Sequence, residues 1–564
     1  MPNLQEELTA LLKDALAEGV RKGDLKSAGD IPIILNIPTQ KEHGDYATPL
    51  VLSLAKKERV APQKLASLLV SILNQLPSST HLVEKIEIAG PGYINFFIKK
   101  EVSHGHLLEI LRKGTEYGKT DLFHGQKILI EFVSANPTGP LHVAHGRAAA
   151  LGDAMTRLLR AVGYQVDQEY YINDVGNQMA LLGQSTYLRY RELCGEKIDL
   201  PAESYKGDYI IDIAKEAATA ATGMSLPMVA GVTTPTEEVL LFFTQYSYQK
   251  ILSLNKETLK SFGIYFDSWF SESVLHQENK VSEAILSLRE SGFVYDADGA
   301  VWVATTRYGD DKDRVIQRSN GELTYFASDI AYHKNKLARG YDRLIDIWGA
   351  DHHGYIVRVK AAVIAMGYAP ERLDIVIHQL VNLLRAGKPV AMSKRSGEFV
   401  TLKEVIEEVG VDATRFFFTM RRSDTSLDFD LEIAKKTSDE NPVYYIQYAY
   451  ARLCSIIRVA KEQGHTMEKE TDVSLLLLPE EMELIKQLSL YPHLVKMAAE
   501  RLEPHRINFY LMELAGMVHR YYFKCRIVTE DAALTKARLG LISGIQIVLK
   551  SALDLLGVSA PERM

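Results

Sequence analysis

Apolar residues recur at helical spacing in the first part of the chain. Five of them lie three or four positions apart near the start: Leu4, Leu8, Leu11, Leu12 and Ala15. This spacing predicts an amphipathic helix, and two further helices are predicted between residues 44 and 73. Residues 85–98 then predict two strands joined at Gly90-Pro91-Gly92. We therefore expect a small α+β domain over residues 1–120.

The central part of the chain begins with a continuous apolar run, Lys127 to Val133, that suits a buried parallel strand. A polar loop, a helix from about Leu141 and a second strand over Gln165–Ile172 follow. This order is typical of the βαβ start of a doubly wound sheet. Residues 180–299 are predicted to form a mostly helical insertion within a Rossmann-like α/β domain over residues 121–385.

Strand-like segments return after the predicted insertion and are expected to continue the sheet. They cover residues 300–306, 323–328, 343–349 and 373–378. From Asn441 onward the pattern is helical, with prolines between the apolar-periodic segments. We therefore predict a connecting segment over 386–440 and an all-α domain over 441–564.

Composition supports an ordinary multidomain globular protein. The 564 residues are 46% hydrophobic and 24% charged, which excludes a disordered or collagen-like chain. At roughly 150 residues per domain, this length favours three or four domains. The formal net charge is −7, so any nucleic-acid contact has to depend on local basic patches.

The cysteines and the apolar runs indicate where the protein works. Cys194, Cys454 and Cys525 lie too far apart along the chain for a metal-binding pair or a disulfide framework. The first helix is acidic, unlike an export signal, and no apolar run is expected to approach the ~18 residues of a membrane span. These features predict a cytoplasmic protein that binds no zinc and no membrane.

The first candidate for chemistry is the loop and helix that follow the first strand of the central part. His142 and His145 are three residues apart at the start of the predicted helix, so both imidazoles lie on one face at its positive end. There they could stabilise charge that develops on an attacked α-phosphate. The alternative is a histidine pair that merely caps the helix, but the position after a Rossmann-type strand favours the phosphate role.

The second candidate is the Ser- and Gly-rich stretch from Gly387 to Leu402. Lys394 and Arg395 lie in this stretch and could neutralise a triphosphate as pyrophosphate leaves. Taken alone, the stretch could equally be a solvated basic turn.

Together the two stretches resemble the HIGH and KMSKS signatures of class I aminoacyl-tRNA synthetases, written here as residues 142–145 and 391–395. Four further segments are similar to those of arginyl-tRNA synthetases. They are YYINDVGNQM, TYFASDIAYH, IWGADHHGY and Asp412-Ala413-Thr414-Arg415. The resemblance covers nearly the whole chain and implies a class I catalytic core, an additional N-terminal domain that contacts tRNA and a C-terminal anticodon-binding domain. It also implies that L-arginine is activated with ATP and Mg²⁺ and passed to tRNA(Arg), and that tRNA organises the active site first.

The resemblance also implies roles for individual residues. Those expected at ATP are Pro137, Gly139, His142, His145, Gly146, Met392, Ser393 and Lys394, of which His142, His145 and Lys394 are expected to be catalytic. Those expected at arginine are Glu131, Asn136, Tyr325, Asp329 and His353. A guanidinium is a charged planar donor, so the carboxylates in this set suit it.

The signatures depart from the family pattern in three places. Ala144 stands where glycine is usual, and Ala391 and Arg395 replace the first lysine and the last serine of KMSKS. Only Lys394 therefore matches a catalytic lysine. Whether Lys388 or Arg395 supplies the missing charge stays open.

In the C-terminal part, residues 519–526 interleave three aromatic residues with three permanent cations and no acid. This composition is typical of a face that contacts RNA, although a tyrosine at helical spacing is often part of a core. With the resemblance, it predicts tRNA contacts at Tyr448, Arg452, Arg520, Lys524 and Arg526.

Two other functions compete with arginine activation. Another class I synthetase, such as that for cysteine or glutamine, is disfavoured by the acids Glu131 and Asp329. A non-catalytic RNA-binding relative is disfavoured by the two histidines and Lys394. We predict a monomer.

Overall fold

A computed structural model describes residues 4–26, 31–38, 40–222, 235–390, 400–466 and 471–564. The N-terminal elements are α1 (Leu4–Arg21), β1 (Tyr46–Thr48), α2 (Leu50–Glu58), α3 (Pro62–Gln75), α4 (Pro77–Leu82), β2 (Val83–Ala89) and β3 (Tyr93–Ile98). Strand β3 lies between β1 and β2 in an antiparallel sheet, and the helices pack on it around a core of their own. The predicted α+β fold of this part is confirmed.

The central elements follow in chain order. They are α5 (Lys100–Lys113), β4 (Lys127–Glu131), α6 (Val143–Ala161), β5 (Gln165–Ile172), α7 (Asn177–Leu193), α8 (Asp208–Thr222), α9 (Glu237–Ser261), β6 (Ser268–Ser271), α10 (Glu272–Gln277), α11 (Lys280–Glu290), β7 (Val294–Ala297), β8 (Ala300–Val303), β9 (Arg314–Gln317), α12 (Tyr325–Ala338), β10 (Arg343–Gly349), α13 (Ile356–Ala365), β11 (Leu373–His378), β12 (Val381–Arg385) and β13 (Lys388–Pro389).

Five of these strands form one parallel sheet in the order β11-β10-β4-β5-β6. Strand β4 lies at its centre and is buried along nearly its whole length, as its continuous apolar run predicted. Helix α6 returns the chain from β4 to β5. The Rossmann-like α/β core is therefore confirmed.

Three details of the central part differ from the sequence prediction. The stretch predicted as a mostly helical insertion is helical through α9, but β6 near its end joins the core sheet beside β5. The segment 300–306 contributes β8, which belongs to a separate antiparallel sheet with β7 and β9. The segment 323–328 is not a strand, because helix α12 begins at Tyr325.

The remaining elements connect the core to a helical bundle. They are α14 (Leu402–Val409), α15 (Val411–Thr419), β14 (Leu427–Asp430), α16 (Leu431–Ala434), α17 (Pro442–Glu462), α18 (Pro479–Ser489), α19 (Tyr491–Glu500), α20 (His505–Lys524) and α21 (Ala532–Leu556). Helix α17 begins where predicted, because the Asn441 side chain accepts a hydrogen bond from the Val443 N–H and Pro442 occupies the first turn. The all-α nature of the C-terminal part is confirmed, while the domain boundaries at 120, 385 and 440 stay predictions.

Helix α21 is long and apolar enough to cross a membrane by length and composition alone, with a mean hydropathy of 1.6 over its best window. The expectation that no apolar run approaches this length was therefore wrong. In the structure 61% of that window is buried inside the protein. Such burial is typical of the core helix of a bundle.

Candidate active site

The site lies at the carboxyl edge of the parallel sheet, where β4 has β10 on one side and β5 on the other. Ligands of doubly wound sheets bind at this edge, where the strand order reverses. In the loop after β4, Val133 and Ser134 lie in the left-handed region, at φ 69° and 39°. Such backbone is rare for a β-branched residue and is strained, as is common at functional sites.

The two histidines of the first signature lie together at the start of α6. His142 is the N-cap residue, and the rings of His142 and His145 stack with centroids 3.7 Å apart. The backbone N–H of His142 also donates to Nδ1 of His145 at 3.3 Å. Both imidazoles therefore lie at the positive end of the helix, as their spacing predicted.

The loop between β4 and α6 is held by helices of the insertion. The Tyr209 hydroxyl of α8 donates to the Thr138 carbonyl at 2.8 Å, and the Asn255 amide of α9 donates to the Gly139 carbonyl at 3.2 Å. A Cβ at Gly139 would lie 3.0 Å from the Tyr209 hydroxyl oxygen. Gly139 therefore permits a close approach of α8, and Pro137 beside it is buried.

The first turn of α6 packs against the segment that leads into α14. The Leu402 N–H donates to the Leu141 carbonyl at 2.7 Å, and a Cβ at Gly146 would lie 2.5 Å from a Leu402 methyl carbon and 2.8 Å from the Phe418 ring. Gly146 is buried and its N–H donates to the His142 carbonyl. This glycine therefore permits close helix packing, and its contact with ATP stays a prediction.

The second signature falls outside the described residues. Ala391, Met392, Ser393, Lys394 and Arg395 belong to the stretch 391–399, so their roles stay predictions. Thr401, which lies just beyond this stretch, forms a β-bridge with His142. The residues that follow the second signature are therefore bound directly to the first.

Arg147, which the sequence reasoning missed, anchors the first turns of α6. Its side chain is fully buried and donates to the carbonyls of Gln379 at 2.8 Å, Arg422 at 2.9 Å and Thr425 at 2.8 Å. Burial lowers the pKa of Arg147 to about 10, so it stays charged at neutral pH. This arginine ties α6 to the two chain segments that lead into β12 and β14.

A buried acid–lysine cluster lies at the carboxyl end of β4. Lys336 of α12 is fully buried, forms an ion pair with Glu131 at the end of β4 and another with Asp346 of β10 at 2.7 Å. Ser134 donates to the other Glu131 oxygen at 2.8 Å. Burial raises the pKa of Glu131, whereas for Asp346 the Lys336 ammonium and His333 outweigh burial and lower the pKa to about 2.

Asp329, one helical turn after Tyr325, faces the same cluster. It accepts a hydrogen bond from the Tyr355 hydroxyl, and burial raises its pKa to about 6 against the effect of that bond. The nearby charges of Glu272 and Glu131 raise it further. We use "acid pocket" for the four carboxylates Glu131, Glu272, Asp329 and Asp346. Lys336 pairs with Glu131 and Asp346, and the His333 ring lies 2.9 Å from the Asp346 carboxylate.

The other residues predicted at arginine are placed unequally. Asn136 is exposed and its amide donates to Gln178 of α7 at 2.8 Å, while Tyr325 is 61% exposed at the start of α12. His353 is exposed on the turn Ala350–Tyr355, and that turn instead brings Tyr355 onto Asp329. Tyr355 and Lys336 were missed, because nothing in the local pattern marks either as part of a pocket.

No group of three or more His, Cys, Asp or Glu side chains arranged to hold a metal ion occurs among the described residues. The prediction that no zinc is bound stays a prediction. That magnesium arrives with ATP, as part of the substrate, stays a prediction as well.

Arg452 of α17 is the centre of the predicted RNA-binding surface. Its guanidinium lies 4.6 Å from the centre of the Tyr448 ring, 4.3 Å from that of Tyr522 and 5.4 Å from that of Phe523. It also donates to the Tyr448 hydroxyl at 3.2 Å. We name these four residues the aromatic–arginine face.

Of the other residues predicted to contact tRNA, one lies next to the aromatic–arginine face and two lie elsewhere on the bundle. Arg526 lines a groove of about 850 Å³ together with Tyr448, Arg452 and the chain end. Arg520 and Lys524 are exposed but do not line this groove, and Lys524 pairs with Glu480 at 3.0 Å. Tyr521 belongs to the core, where its hydroxyl donates to Glu481 at 3.2 Å.

Comparisons with known proteins agree along the whole chain. Residues 4–98 match the arginyl tRNA synthetase N terminal domain, residues 106–426 the class I (R) tRNA synthetase catalytic domain, and residues 446–564 the DALR anticodon binding domain. The chain is 51% identical over 564 residues to arginine–tRNA ligase of Syntrophotalea carbinolica, and 51% identical over 566 residues to that of Citrifermentans bemidjiense. Both matches cover 100% of both chains.

A solved structure is similar as well. Arginyl-tRNA synthetase from Thermus thermophilus is 25% identical in sequence to this chain and superposes with a TM-score of 0.75. The match covers 98% of this chain and 99% of the Thermus chain. The alternative of a synthetase for cysteine or glutamine is thereby excluded. The chain belongs to the arginyl-tRNA synthetases, the class I ligases that use ATP to join arginine to its tRNA.

Proposed function

We propose that the carboxyl edge of the sheet forms arginyl-adenylate in two neighbouring parts, a histidine pair for the phosphate and the acid pocket for the guanidinium. The observation that carries this assignment is the buried negative charge at the carboxyl end of β4, the strand whose following loop leads to the histidine-capped start of α6. Lys336 pairs with two of the four carboxylates, Glu131 and Asp346, while burial raises the pKa of a third, Asp329, to about 6. A pocket of this charge is completed by a cationic ligand.

Arginine fits this pocket better than other cations. A guanidinium presents several donors in one plane and keeps its charge at any physiological pH, so it can bond to Asp329 and Glu131 at once. Lys336 already occupies one Glu131 oxygen. Asp329, whose described partner is the neutral Tyr355 hydroxyl, therefore contributes the larger share of the attraction.

The histidines serve the phosphate chemistry. A carboxylate oxygen of arginine attacks the α-phosphorus, the new acyl–phosphate bond forms as the bond to the β-phosphate breaks, and magnesium pyrophosphate leaves. His142 and His145 stabilise the charge that develops on the α-phosphate oxygens, at the positive end of α6. Lys394 neutralises the leaving pyrophosphate.

The helical bundle supplies the contacts with tRNA. Arg452 stands among exposed rings, and this arrangement suits bases that stack and phosphates that bind cations. Arg526 extends the same groove. The terminal hydroxyl of the bound tRNA then attacks the arginyl carbonyl, and AMP leaves. The enzyme acts as a monomer in the cytoplasm.

Amino-acid-dependent ATP–pyrophosphate exchange, run with each amino acid and with or without tRNA, tests this function. Exchange should require arginine and should be strong only when tRNA is present. If none of the amino acids supported exchange, the protein would be a non-catalytic relative. Strong exchange in RNA-free enzyme would remove the tRNA requirement and leave arginine activation standing.

A further inference from the structure

Arg415 is buried at the place where the helical bundle meets the catalytic core. Its side chain pairs with Asp153 in the middle of α6 and is 1% exposed. It also donates to the carbonyl of Leu556, the last residue of α21, at 3.0 Å and to that of Phe262, just after α9, at 3.0 Å. We name these four residues the junction.

The junction leaves no room for the arginine to move independently of the bundle. Gly557, which follows α21, adopts a left-handed φ of 64° directly against the guanidinium. A Cβ at this position would overlap with the terminal nitrogen of Arg415. The end of α21 therefore lies in direct contact with the Arg415 guanidinium.

Helix α15, which carries Arg415, is fixed to the bundle at a second point. The Asp412 carboxylate accepts hydrogen bonds from the Gln447 amide of α17 at 2.8 Å and from the Ser559 N–H at 3.0 Å. On its other side, the Phe418 ring packs against Gly146. One short helix thus contacts both the bundle and the first turn of α6.

The connection to the catalytic histidines is short. Asp153 follows His145 by eight residues on the same helix, a distance of about 12 Å at 1.5 Å per residue. Arg157, one turn further along α6, also pairs with Asp153 at 2.7 Å and donates to the Asp554 carbonyl of α21 at 3.1 Å.

Next to these polar contacts, α6 and α21 line a cavity of about 760 Å³. Part of their facing surfaces is therefore not in contact. Arg157 and Arg415 each bond to both α6 and α21 at this end of the bundle.

We propose that Arg415 is a positioning residue that couples the seating of the helical bundle to the placement of His142 and His145. This inference rests on the proposed function, in which tRNA binds the bundle before arginine is activated. A change in the position of α21 reaches α6 through the Arg415 guanidinium. Activation therefore depends on a side chain that touches neither tRNA nor ATP.

The test uses the full-length enzyme with two changes that reach the junction from opposite sides. Arg415→Lys keeps a positive charge near Asp153 but loses the fork that reaches Leu556 and Phe262. Gly557→Ala adds a methyl group at the end of α21 that overlaps with the Arg415 guanidinium. The control is Arg191→Lys, which alters another largely buried arginine, paired with Glu196 at the end of α7 and outside the junction.

Three quantities separate coupling from a merely structural role. They are the dissociation constant of tRNA, the exchange rate per titrated active site at saturating tRNA, and the tRNA-induced change in hydrogen–deuterium exchange of residues 143–150. In both junction variants we expect tRNA affinity within about twofold of wild type and a rate lower by about tenfold, in the usual range of allosteric coupling. The tRNA-induced change at residues 143–150 should be lost, and the control should keep it.

Several results would overturn the proposal. A normal rate with a normal tRNA-induced change in both variants would do so. Equal losses of tRNA affinity and rate, or failure of both variants to fold, would make Arg415 a structural residue. Absence of arginine-dependent exchange in the wild type would instead contradict the proposed function itself.

Discussion

Lys336 and Arg452 are both cations that contact aromatic rings, but their surroundings are opposite. Lys336 is fully buried between Glu131 and Asp346, with its ammonium 4.3 Å from the centre of the Tyr332 ring. Arg452 is part-exposed, and its described partners are His519 and the rings of the aromatic–arginine face. The first cation balances acids that the protein itself buries, whereas the second carries no described acid partner and is available to phosphate.

The largest expected effect is on stability, for the change Lys336→Met. Removing the buried ammonium leaves Glu131 and Asp346 without their counter-ion, which should lower the free energy of unfolding by about 3–5 kcal/mol. All three tryptophans lie between residues 269 and 348, so urea unfolding followed by their fluorescence reports on this domain.

Lys435 offers a matched control, because it also lies between two carboxylates but on the surface. It pairs with Glu408 at 3.0 Å and Glu432 at 2.8 Å. Lys435→Met should cost less than about 1 kcal/mol, as is usual for exposed pairs. Equal costs for the two lysine variants would contradict the description of Lys336 as a buried counter-ion.

The next effect is on arginine binding, for Asp329→Asn and Glu131→Gln. Loss of a desolvated charged partner should weaken arginine binding by about 2–5 kcal/mol. The effect should be larger for Asp329, since Glu131 shares its charge with Lys336. The KM for arginine in pyrophosphate exchange measures it, and the KM for ATP should stay unchanged.

Asp374→Asn is the control for these two variants. Asp374 lies on the neighbouring strand β11 and pairs with Arg343 at 2.6 Å, outside the acid pocket. It should leave the KM for arginine as in the wild type. If the Asp329 and Glu131 variants behaved like this control, the guanidinium would bind elsewhere.

A smaller effect follows from the raised pKa of Asp329, which is about 6 in the free enzyme. A bound guanidinium favours the ionised carboxylate and lowers this pKa, so binding below pH 6 has to release a proton. Arginine affinity should be constant from pH 8 to 7 and fall by up to about tenfold per unit below pH 6. Titration calorimetry between pH 5 and 8 measures this, and the decrease should be absent in Asp329→Asn.

The smallest expected effect is on tRNA, for Arg452→Ala. Loss of this cation should weaken tRNA binding by about 1–2 kcal/mol and reduce the salt dependence by about one counterion. Lys524→Ala should weaken binding less, because Lys524 is already paired with Glu480. Filter binding at several salt concentrations checks both, and a larger loss for Lys524 would move the RNA-binding face to the other side of α20.

Periodic patterns were enough to predict most of the fold. Strands β5, β10 and β11 begin and end at the predicted residues. Strand β4 was predicted because its continuous apolar run marks a buried parallel strand. The segment 323–328 misled, because Thr324, Tyr325 and Phe326 favour strands while Thr324 precedes the first turn of α12. Strand β6 was missed, since four residues at a sheet edge carry no periodic signal.

The site was less predictable from sequence, because its electrostatics come from residues far apart in the chain. Lys336 reads as an ordinary polar residue of a helix, and only the fold buries it against Glu131, which lies 205 positions away. Tyr355 was passed over in favour of His353, because the turn Ala350–Tyr355 decides which side chain reaches Asp329. The packing of Gly146 against Leu402 was also not predicted, because it depends on tertiary contacts alone.

The most direct test of the account compares the binding of arginine and citrulline, which differ in little except the charge of the terminal group. Calorimetry on the wild-type enzyme with tRNA should give arginine a dissociation constant at least about thirtyfold lower than that of citrulline, the equivalent of 2 kcal/mol. Asp329→Asn should remove most of that difference. Equal affinity for the two ligands in the wild type, or an unchanged difference in the variant, would contradict the claim that the acid pocket selects arginine by its charge.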